Sequence, residues 1–372
     1  MNTYTALRGC RILPGILSLF ILFFLGVQFS GCGGDDETET VVIELVPTSL
    51  DFDSSNKLYL VERPSRSIWR FNLTEEPNTD TGVLYPPSEG GFTPWGLATD
   101  ARRQHDILFV TDVTASAQRL LALDNGFGSE ILSDSTILAQ ISHFDSHTAG
   151  GVASDQFSQL RGVAAYALVE GGDTIRVFVA DDDRVVVFDY DVNAPTPDFK
   201  FINLITAGTC KDAFQEPYGV AVDKDNNYLY VVDHSVEGLY HFKDINGASP
   251  SCDGEVGEAG GKDLDDPQGA TVVTATEPNQ VVVADSGNDR IVSFVWNAPN
   301  LVFSEEQESL DVDHPFVNPF DLAFGRFPDD QGVPQEQLII TFPDIKRVYS
   351  TEWPPESTRC ASSNGERTLL KD

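Results

Sequence analysis

A short lead-in segment recurs along the chain and constrains the fold more than any other feature of the sequence. The clearest copies are "PYGVAV" at residue 217 and "PQGATV" at residue 267, and related segments begin at residues 47, 94, 160 and 319. Two further runs rich in Val, Ile, Tyr and Phe follow each copy. One small sheet per repeat cannot bury both of its faces, whereas six sheets arranged radially can. The repeats therefore predict a six-bladed β-propeller.

The composition of each repeat predicts the blade. β-Branched and aromatic runs cut by Gly, Asn and Asp turns are typical of an antiparallel meander, so we expect an all-β chain with four-stranded blades over residues 41–352. Little strand-like sequence follows residue 351, while "TVVIELV" (40–46) precedes the first lead-in. We therefore expect this N-terminal segment to close blade six as its outer strand. The polar residues 353–372 read as a disordered tail.

The repeats resemble those of the NHL family. That family's blades carry P-x-G-v-A-v-D, then l-y-V-a-D, then N-x-R-I-q-v-F, and this chain has "PYGVAVD", "YLYVVD" and "NDRIVSF". Blade one departs from the pattern, because Thr48 and Ser49 replace x-G. Blade six also departs from it, with Asp321 in place of the Gly and Phe342 in place of the Asp. The resemblance implies a propeller and leaves the ligand open.

The net charge of the chain limits the classes of partner that it is expected to bind. The chain has 24 Lys and Arg against 58 Asp and Glu, a net charge of −34. A field of that sign repels phosphate backbones and anionic lipid surfaces. Cations, cationic peptides and neutral glycans are compatible with such a charge. We expect a partner that is a protein, peptide or glycan and not a nucleic acid, with membrane contact only through a lipid anchor. We also expect a monomer.

The N-terminal residues predict where the protein is located in the cell. Residues 1–31 contain a basic stretch, an apolar run and small residues, the layout of a secretory signal peptide. "SGC" at 30–32 resembles the lipobox of bacterial lipoproteins, which implies lipidation of Cys32, although Phe29 departs from the usual aliphatic residue. Residues 32–40 would then be a lipidated acidic tether, and Gly33 favours the outer membrane of the cell envelope, facing the periplasm or the surface. An uncleaved anchor or a secreted protein is the alternative.

Repeated and non-repeated polar residues predict different roles. An Asp ends the second run of four repeats and an Arg begins the third run of four, and we interpret both sets as turn and inter-blade contacts: Asp112, Asp181, Asp233, Asp285, Arg119, Arg184, Arg290 and Arg347. The variable lead-in position differs between blades and predicts a ligand-binding mouth of the central channel. It holds Trp95, Arg161, Tyr218, Gln268 and Phe320. Packing between loops is the alternative for the aromatic residues.

Cysteine positions predict one disulfide. Cys10 leaves with the signal peptide and Cys32 takes lipid, so Cys210, Cys252 and Cys360 remain. Cys210 precedes blade four and Cys252 follows its third strand, so a bond between these two is expected in an oxidising envelope. Cys360 is then left without a partner in the polar tail.

Metal motifs are weak, so we predict no cofactor. His143, Asp145 and His147 could hold zinc, but a solvated loop is the simpler interpretation. Asp223, Asp225 and Asn227 begin like a calcium loop, but Tyr228 stands where its Gly belongs.

We therefore expect a non-catalytic binding or scaffold module. The alternative is a metal-dependent hydrolase or lyase similar to six-bladed lactonases. "PTSLDF", Tyr218 and Gln268 stand where the lactonases have their metal ligands, so those ligands do not carry over. The amidating lyases of the NHL group use several channel histidines, and here His234 stands alone.

Overall fold

A computed structural model gives the structure of the chain. It describes residues 46–53, 57–72, 82–83, 91–102, 105–114, 118–124, 137–144, 155–206, 210, 215–247, 249–256, 263–298, 300–311, 314–328, 334–353 and 367–370. Strands dominate this part of the chain, which contains no helix long and apolar enough to cross a membrane. The predicted signal peptide, Cys32 and the acidic tether lie outside the described residues.

Six four-stranded antiparallel sheets form the six predicted blades. Blade one contains Pro47–Phe52, Lys57–Glu62, Ser67–Asn72 and Gly82–Val83; blade two contains Pro94–Ala98, Ile107–Asp112, Arg119–Asp124 and Ile137–Ile141. Blade three contains Leu160–Ala167, Thr174–Asp181, Arg184–Asp191 and Phe199–Thr206; blade four contains Pro217–Asp223, Tyr228–Asp233, Gly238–Lys243 and Ser251–Val256. Blade five contains Pro267–Val273, Gln280–Asp285, Arg290–Asn297 and Asn300–Gln307; blade six contains Leu322–Pro328, Pro334–Phe342, Arg347–Glu352 and Arg367–Leu370. Two short hairpins lie between blades: His143–Phe144 pairs with Asp155–Gln156, and Ser309–Asp311 pairs with His314–Pro315.

The ring closes in a different way from the one predicted. The fourth strand of blade six is Arg367–Leu370, which pairs with Arg347–Glu352. The N-terminal segment 40–46 therefore does not hold that place, and the predicted disorder of the C-terminal tail is wrong at these four residues. Residues 40–45 lie outside the described part. The first strand of blade one instead contacts the first strand of blade six directly, so closure joins two complete blades.

Alternation along each first strand explains why the sheets pack radially. Successive side chains of a strand point to opposite faces. In blade three, Val163 and Ala165 pack into the core shared with blade two, while Ala164 and Tyr166 pack into the core shared with blade four. An apolar cluster of this kind fills each of the six interfaces between neighbouring blades. Both faces of every sheet are thus buried.

The recurring Asp residues hold each lead-in in place. Asp112 accepts a hydrogen bond from the backbone N–H of Thr93, 2.9 Å away, and Asp233 does the same for Gln215 at 2.8 Å. Asp181 and Asp285 make the equivalent bonds in blades three and five. Three of the recurring arginines pair with these aspartates: Arg119, Arg184 and Arg290. The predicted turn role is confirmed, but these contacts run within a blade and not between blades.

Lead-in glycines let neighbouring first strands approach each other closely. A Cβ at Gly162 would lie 2.5 Å from the carbonyl oxygen of Tyr218 in the next blade, and one at Gly96 would lie 2.6 Å from that of Arg161. Gly219 faces the Gln268 carbonyl in the same way. Any side chain there would push two blades apart at the channel, which explains why the lead-in repeats its Gly.

The two degenerate lead-ins meet at the junction of blades six and one. Asp321 stands where other blades have Gly, and its Oδ2 accepts a hydrogen bond from the Leu50 N–H, 3.1 Å away. Ser49 donates to the same carboxylate and accepts the Leu97 N–H at 3.1 Å. The departures from the repeat are therefore complementary, because each side supplies a polar group that the other uses.

A disulfide bond joins Cys210 and Cys252, the pair singled out by the sequence. Their Cα atoms are 5.3 Å apart, and the bond links the entry to blade four with its outer strand. Cys360 lies outside the described residues.

Candidate functional site

A central channel is one concave feature of the described part. Its volume is about 340 Å³, and the first strands of all six blades line it. One opening lies where these strands begin and is called the lead-in mouth. The other lies where they end; there Arg102 of blade two donates hydrogen bonds to the carbonyl oxygens of Ala167 and Lys224, in blades three and four.

Three aromatic side chains converge at the lead-in mouth. The ring centroids of Trp95 and Tyr218 are 5.9 Å apart, and those of Tyr218 and Phe320 are 6.0 Å apart, both edge to face. Each side chain is half-buried. This aromatic cluster of Trp95, Tyr218 and Phe320 spans blades two, four and six. Burial raises the pKa of the Tyr218 hydroxyl to about 12, so the phenol stays protonated at neutral pH.

Two arginines lie over the aromatic cluster. The Arg63 Cζ is 3.8 Å from the centre of the Trp95 ring, and the Arg161 Cζ is 5.2 Å from that ring and 5.1 Å from the Tyr218 ring. Such contacts attract the cation to the negative face of the ring. Arg63 and Arg161 are called the arginine pair below.

Hydrogen-bonded polar side chains surround Arg161 and Tyr218 on one side of the mouth. Glu216 accepts a hydrogen bond from Arg161 Nη2 at 2.6 Å and one from the Ser235 hydroxyl at 2.8 Å. Burial raises the pKa of Glu216, but these two bonds outweigh it, and the pKa falls below its usual value. Next to them, the His234 ring contacts Asp266 and lies 3.2 Å from Gln268 Nε2.

The five residues predicted for the mouth do come together there. Trp95, Tyr218, Gln268 and Phe320 line the channel, and Arg161 contacts two of the rings. Within the mouth, the aromatic rings pack against one another across the opening. Gln268 is only 6% exposed, so it belongs to the wall of the mouth more than to its surface.

Arg63 was missed by sequence reasoning. It lies in the turn between the second and third strands of blade one, "ERPSRS", outside the lead-in. The one available signal was its place: the turn after the second strand lies at the same face as the lead-in in every blade, because neighbouring strands are antiparallel.

A groove continues outward from the mouth between blades one and six. Its volume is about 570 Å³. Phe320 also lines the channel, and Arg63, Arg66, Asn318 and Asp344 supply polar groups to the walls of the groove. Val46, the first described residue, also lines it. The groove and the mouth together form one continuous concave surface.

The weak metal motifs resolve into ordinary loop contacts where they are described. Asp223 accepts hydrogen bonds from the backbone N–H groups of Asp225 and Asn226 and from the Asn279 side chain. It therefore caps the turn before Tyr228 begins the next strand. His143 contacts Ser142 and Gln156, and Asp145 and His147 lie outside the described residues. Within the described ranges, no three His, Cys, Asp or Glu side chains are grouped to hold a metal ion.

Comparisons with known proteins support the fold and give no family. No family model matches the chain, and no curated protein sequence does. A solved structure described as the crystal structure of a nidogen/laminin complex is 15% identical, with a TM-score of 0.47 over 77% of this chain and 86% of that chain. A functionally unknown protein from Desulfotomaculum acetoxidans is 11% identical, with a TM-score of 0.50 over 87% of each chain. The likeness to the second structure concerns the fold alone.

Proposed function

We propose that this propeller is a non-catalytic binding module that holds a polypeptide partner at the lead-in mouth. One observation carries the proposal: Trp95, Tyr218 and the arginine pair form a single contiguous cluster at the concave end of the channel. Trp, Tyr and Arg are the residue types that dominate the binding energy of protein interfaces. The blade fold does not require them at these positions, because the lead-in residue varies from blade to blade.

The aromatic faces at the mouth already have contacts, which favours a polypeptide over a glycan as the ligand. A sugar ring stacks on an open aromatic face, but the guanidinium of Arg63 lies at stacking distance from Trp95. The Tyr218 ring is packed edge to face with Trp95 and Phe320. The adjoining groove, in contrast, mixes apolar walls such as Pro64 and Pro343 with polar side chains, as suits an extended chain.

Loss of the aromatic cluster should remove the partner without unfolding the blades. We expect Trp95→Ala and Tyr218→Ala to reduce recovery of a co-purifying protein by about tenfold, since interface anchors of this type contribute about 2 kcal/mol or more. Val302→Ala is the matched control, because Val302 is an exposed apolar residue on the outer strand of blade five. Unchanged recovery by both mouth variants, with melting temperatures several degrees lower, would show that the rings only pack.

The cell envelope is the proposed setting. The signal-like residues 1–31 and the "SGC" segment support a lipid anchor at Cys32 and an outer-membrane location. Several acyl chains at one residue would make the anchor effectively permanent.

Metabolic labelling with a palmitate analogue tests the anchor. The wild-type protein should be labelled and stay with the membrane fraction, whereas Cys32→Ser should lose both properties. Cys10→Ser is the matched control and should behave like the wild type. Label that persists in the Cys32 variant would contradict the assignment.

A further inference from the structure

The neighbours of Arg63 are unusual for an arginine in a chain with so many acidic residues. Other arginines of the same face, such as Arg119 and Arg290, pair with a recurring blade aspartate. No described carboxylate forms an ion pair with Arg63, whose contact is the face of Trp95. With 58 acidic residues in the chain and 24 basic ones, carboxylates are abundant. A guanidinium left without one at the channel mouth points to a site for an external acid.

The stacking geometry leaves the right atoms available. A guanidinium that lies over an aromatic ring uses its face for that contact, and its N–H donors lie in the plane at its edge. The fork of these donors matches the two oxygens of a carboxylate. Contact with the Trp95 ring therefore positions Arg63 at 3.8 Å, and its side-chain N–H groups make no hydrogen bond to another described residue.

The second arginine makes the mouth positive locally. Arg161 lies over the same Trp95 ring, and burial together with the nearby charge of Arg161 lowers the pKa of Arg63. Arg161 is compensated in part by Glu216, at 2.6 Å. Two guanidinium groups share one indole and Glu216 pairs with Arg161, so an incoming carboxylate would gain from both positive charges.

The net charge of the whole chain does not prevent this. At physiological ionic strength the Debye length is about 8 Å, so distant acidic residues are screened while groups in contact are not. Of the nearby acids, Glu216 pairs with Arg161 and Asp266 contacts His234, so these two are compensated. Asp344 accepts a hydrogen bond from the neutral Asn318 side chain at 2.7 Å, and Glu62 accepts from backbone N–H groups, so both keep their negative charge. Arg63 and Arg66 line the same groove. The groove therefore carries both signs of charge and is much less negative than the chain as a whole.

We infer that the groove beside the lead-in mouth binds an acidic segment of the partner polypeptide, with its carboxylates against Arg63 and Arg161. This inference rests on the proposed polypeptide-binding function and adds the chemistry of the bound segment. The groove, of about 570 Å³, runs from Phe320 to Asn318 and Pro343 and has room for a short extended stretch. Acidic side chains on that stretch would reach the edge of the Arg63 guanidinium without displacing it from Trp95.

A fluorescein-labelled hexaglutamate peptide is the probe, and its anisotropy is the measurement. We expect saturable binding to the full-length protein at about 50 mM salt, and binding that is weaker at about 500 mM salt. Arg63→Gln and Arg161→Gln should each weaken binding by about tenfold or more. Arg119→Gln is the matched control: it makes the same change in net charge on the same face, but its arginine is already paired with Asp112. It should bind within about twofold of the wild type.

Other occupants give distinct results that would overturn the inference. Equal binding of hexaglutamine would exclude recognition of acids, and tighter binding of an oligogalacturonate would assign the site to an acidic glycan. The acidic residues 35–39 of the chain itself precede Val46. If removing residues 33–39 tightened hexaglutamate binding by about tenfold, this tether would be the occupant.

The partner measurement separates this inference from the function on which it rests. If the co-purifying protein depends on Trp95 and Tyr218 but is retained by Arg63→Gln and Arg161→Gln, the mouth binds a polypeptide that is not acidic there. In that case the inference fails and the proposed function stands. If recovery depends on none of the four residues, the proposed function fails as well.

Discussion

Gly219→Ala is expected to lower the free energy of unfolding by about 2 to 3 kcal/mol, the range found for overpacked interiors. The new Cβ would collide with the Gln268 carbonyl oxygen and would lie 3.1 Å from the Gly269 Cα and 3.2 Å from the Ala270 N. All three are backbone atoms of blade five, so relief requires two blades to move apart. The smaller entropy of the unfolded Ala variant offsets this loss by less than about 1 kcal/mol.

Gly247→Ala is the control for this substitution. Gly247 lies in an exposed turn of the same blade, and the nearest atom to its Cβ is the Asp244 carbonyl oxygen at 3.1 Å, within a turn that can adjust. Chemical denaturation should show a change within about 0.5 kcal/mol for this variant. If the two variants unfold alike, close approach at the lead-in is not what sets the width of the ring.

His241→Phe should remove about 3 kcal/mol of acid sensitivity. The His241 ring is fully buried, with its centroid 4.0 Å from that of Trp296 and 4.4 Å from that of Tyr228. Neither ring nitrogen has a hydrogen-bond partner among the described residues. Burial lowers the pKa of His241 to about 4; the charge of Asp253 raises it by a smaller amount, and that of Lys243 lowers it further. The folded protein therefore holds this histidine neutral.

The sign of the effect follows from proton binding. The unfolded chain protonates this histidine near pH 6.5, so between about pH 6.5 and pH 4 the unfolded state binds more protons and stability falls as the pH falls. At about 1.4 kcal/mol per pKa unit, the loss reaches about 3 kcal/mol. Phe fills the same space beside Trp296 and does not titrate. Denaturation curves at pH 7 and pH 4 should therefore differ less for the variant than for the wild type.

Asp321 changes the stability in the opposite direction over the same pH range, so the variant must be compared with the wild type. Burial raises the pKa of Asp321 to about 7, so its contribution to stability is lost as the pH rises from about 4 to 7. Its side chain faces the channel and keeps some solvent contact, which reduces the effect. Asp321 is present in both proteins and cancels in the difference. Parallel pH profiles of the two proteins would mean that His241 is solvated or hydrogen-bonded.

The repeat pattern predicts the blades because their apolar side chains alternate with strand geometry, which is local. The contacts that close the ring could not be predicted from this local pattern. Ser49 and Asp321 look like decayed copies of the lead-in, and only their proximity across the ring shows that they bond to each other. Arg367–Leu370 has two leucines after Arg and Thr in an otherwise polar tail, and its pairing with blade six is a long-range contact that composition does not encode.

The candidate site, like the fold, could be predicted from the sequence only in part. The repeat predicts which positions face the channel mouth, so Trp95, Tyr218 and Phe320 could be named from alignment of the copies alone. It does not predict how far the side chains reach, and the edge-to-face contacts between blades four and six follow from the narrow channel. Arg63 belongs to a turn that repeats only in position, so its contact with Trp95 required the three-dimensional arrangement.

Site-specific photocrosslinking in intact cells tests the central claim, that the lead-in mouth holds a polypeptide partner. A photoreactive phenylalanine analogue replaces Phe320 at the mouth in one strain and Val169 in another. Val169 is 66% exposed in the turn between the first two strands of blade three, at the opposite face. We expect an ultraviolet-dependent adduct of higher mass from position 320 and none from position 169. An adduct from position 169 alone, or none from position 320, would contradict that claim.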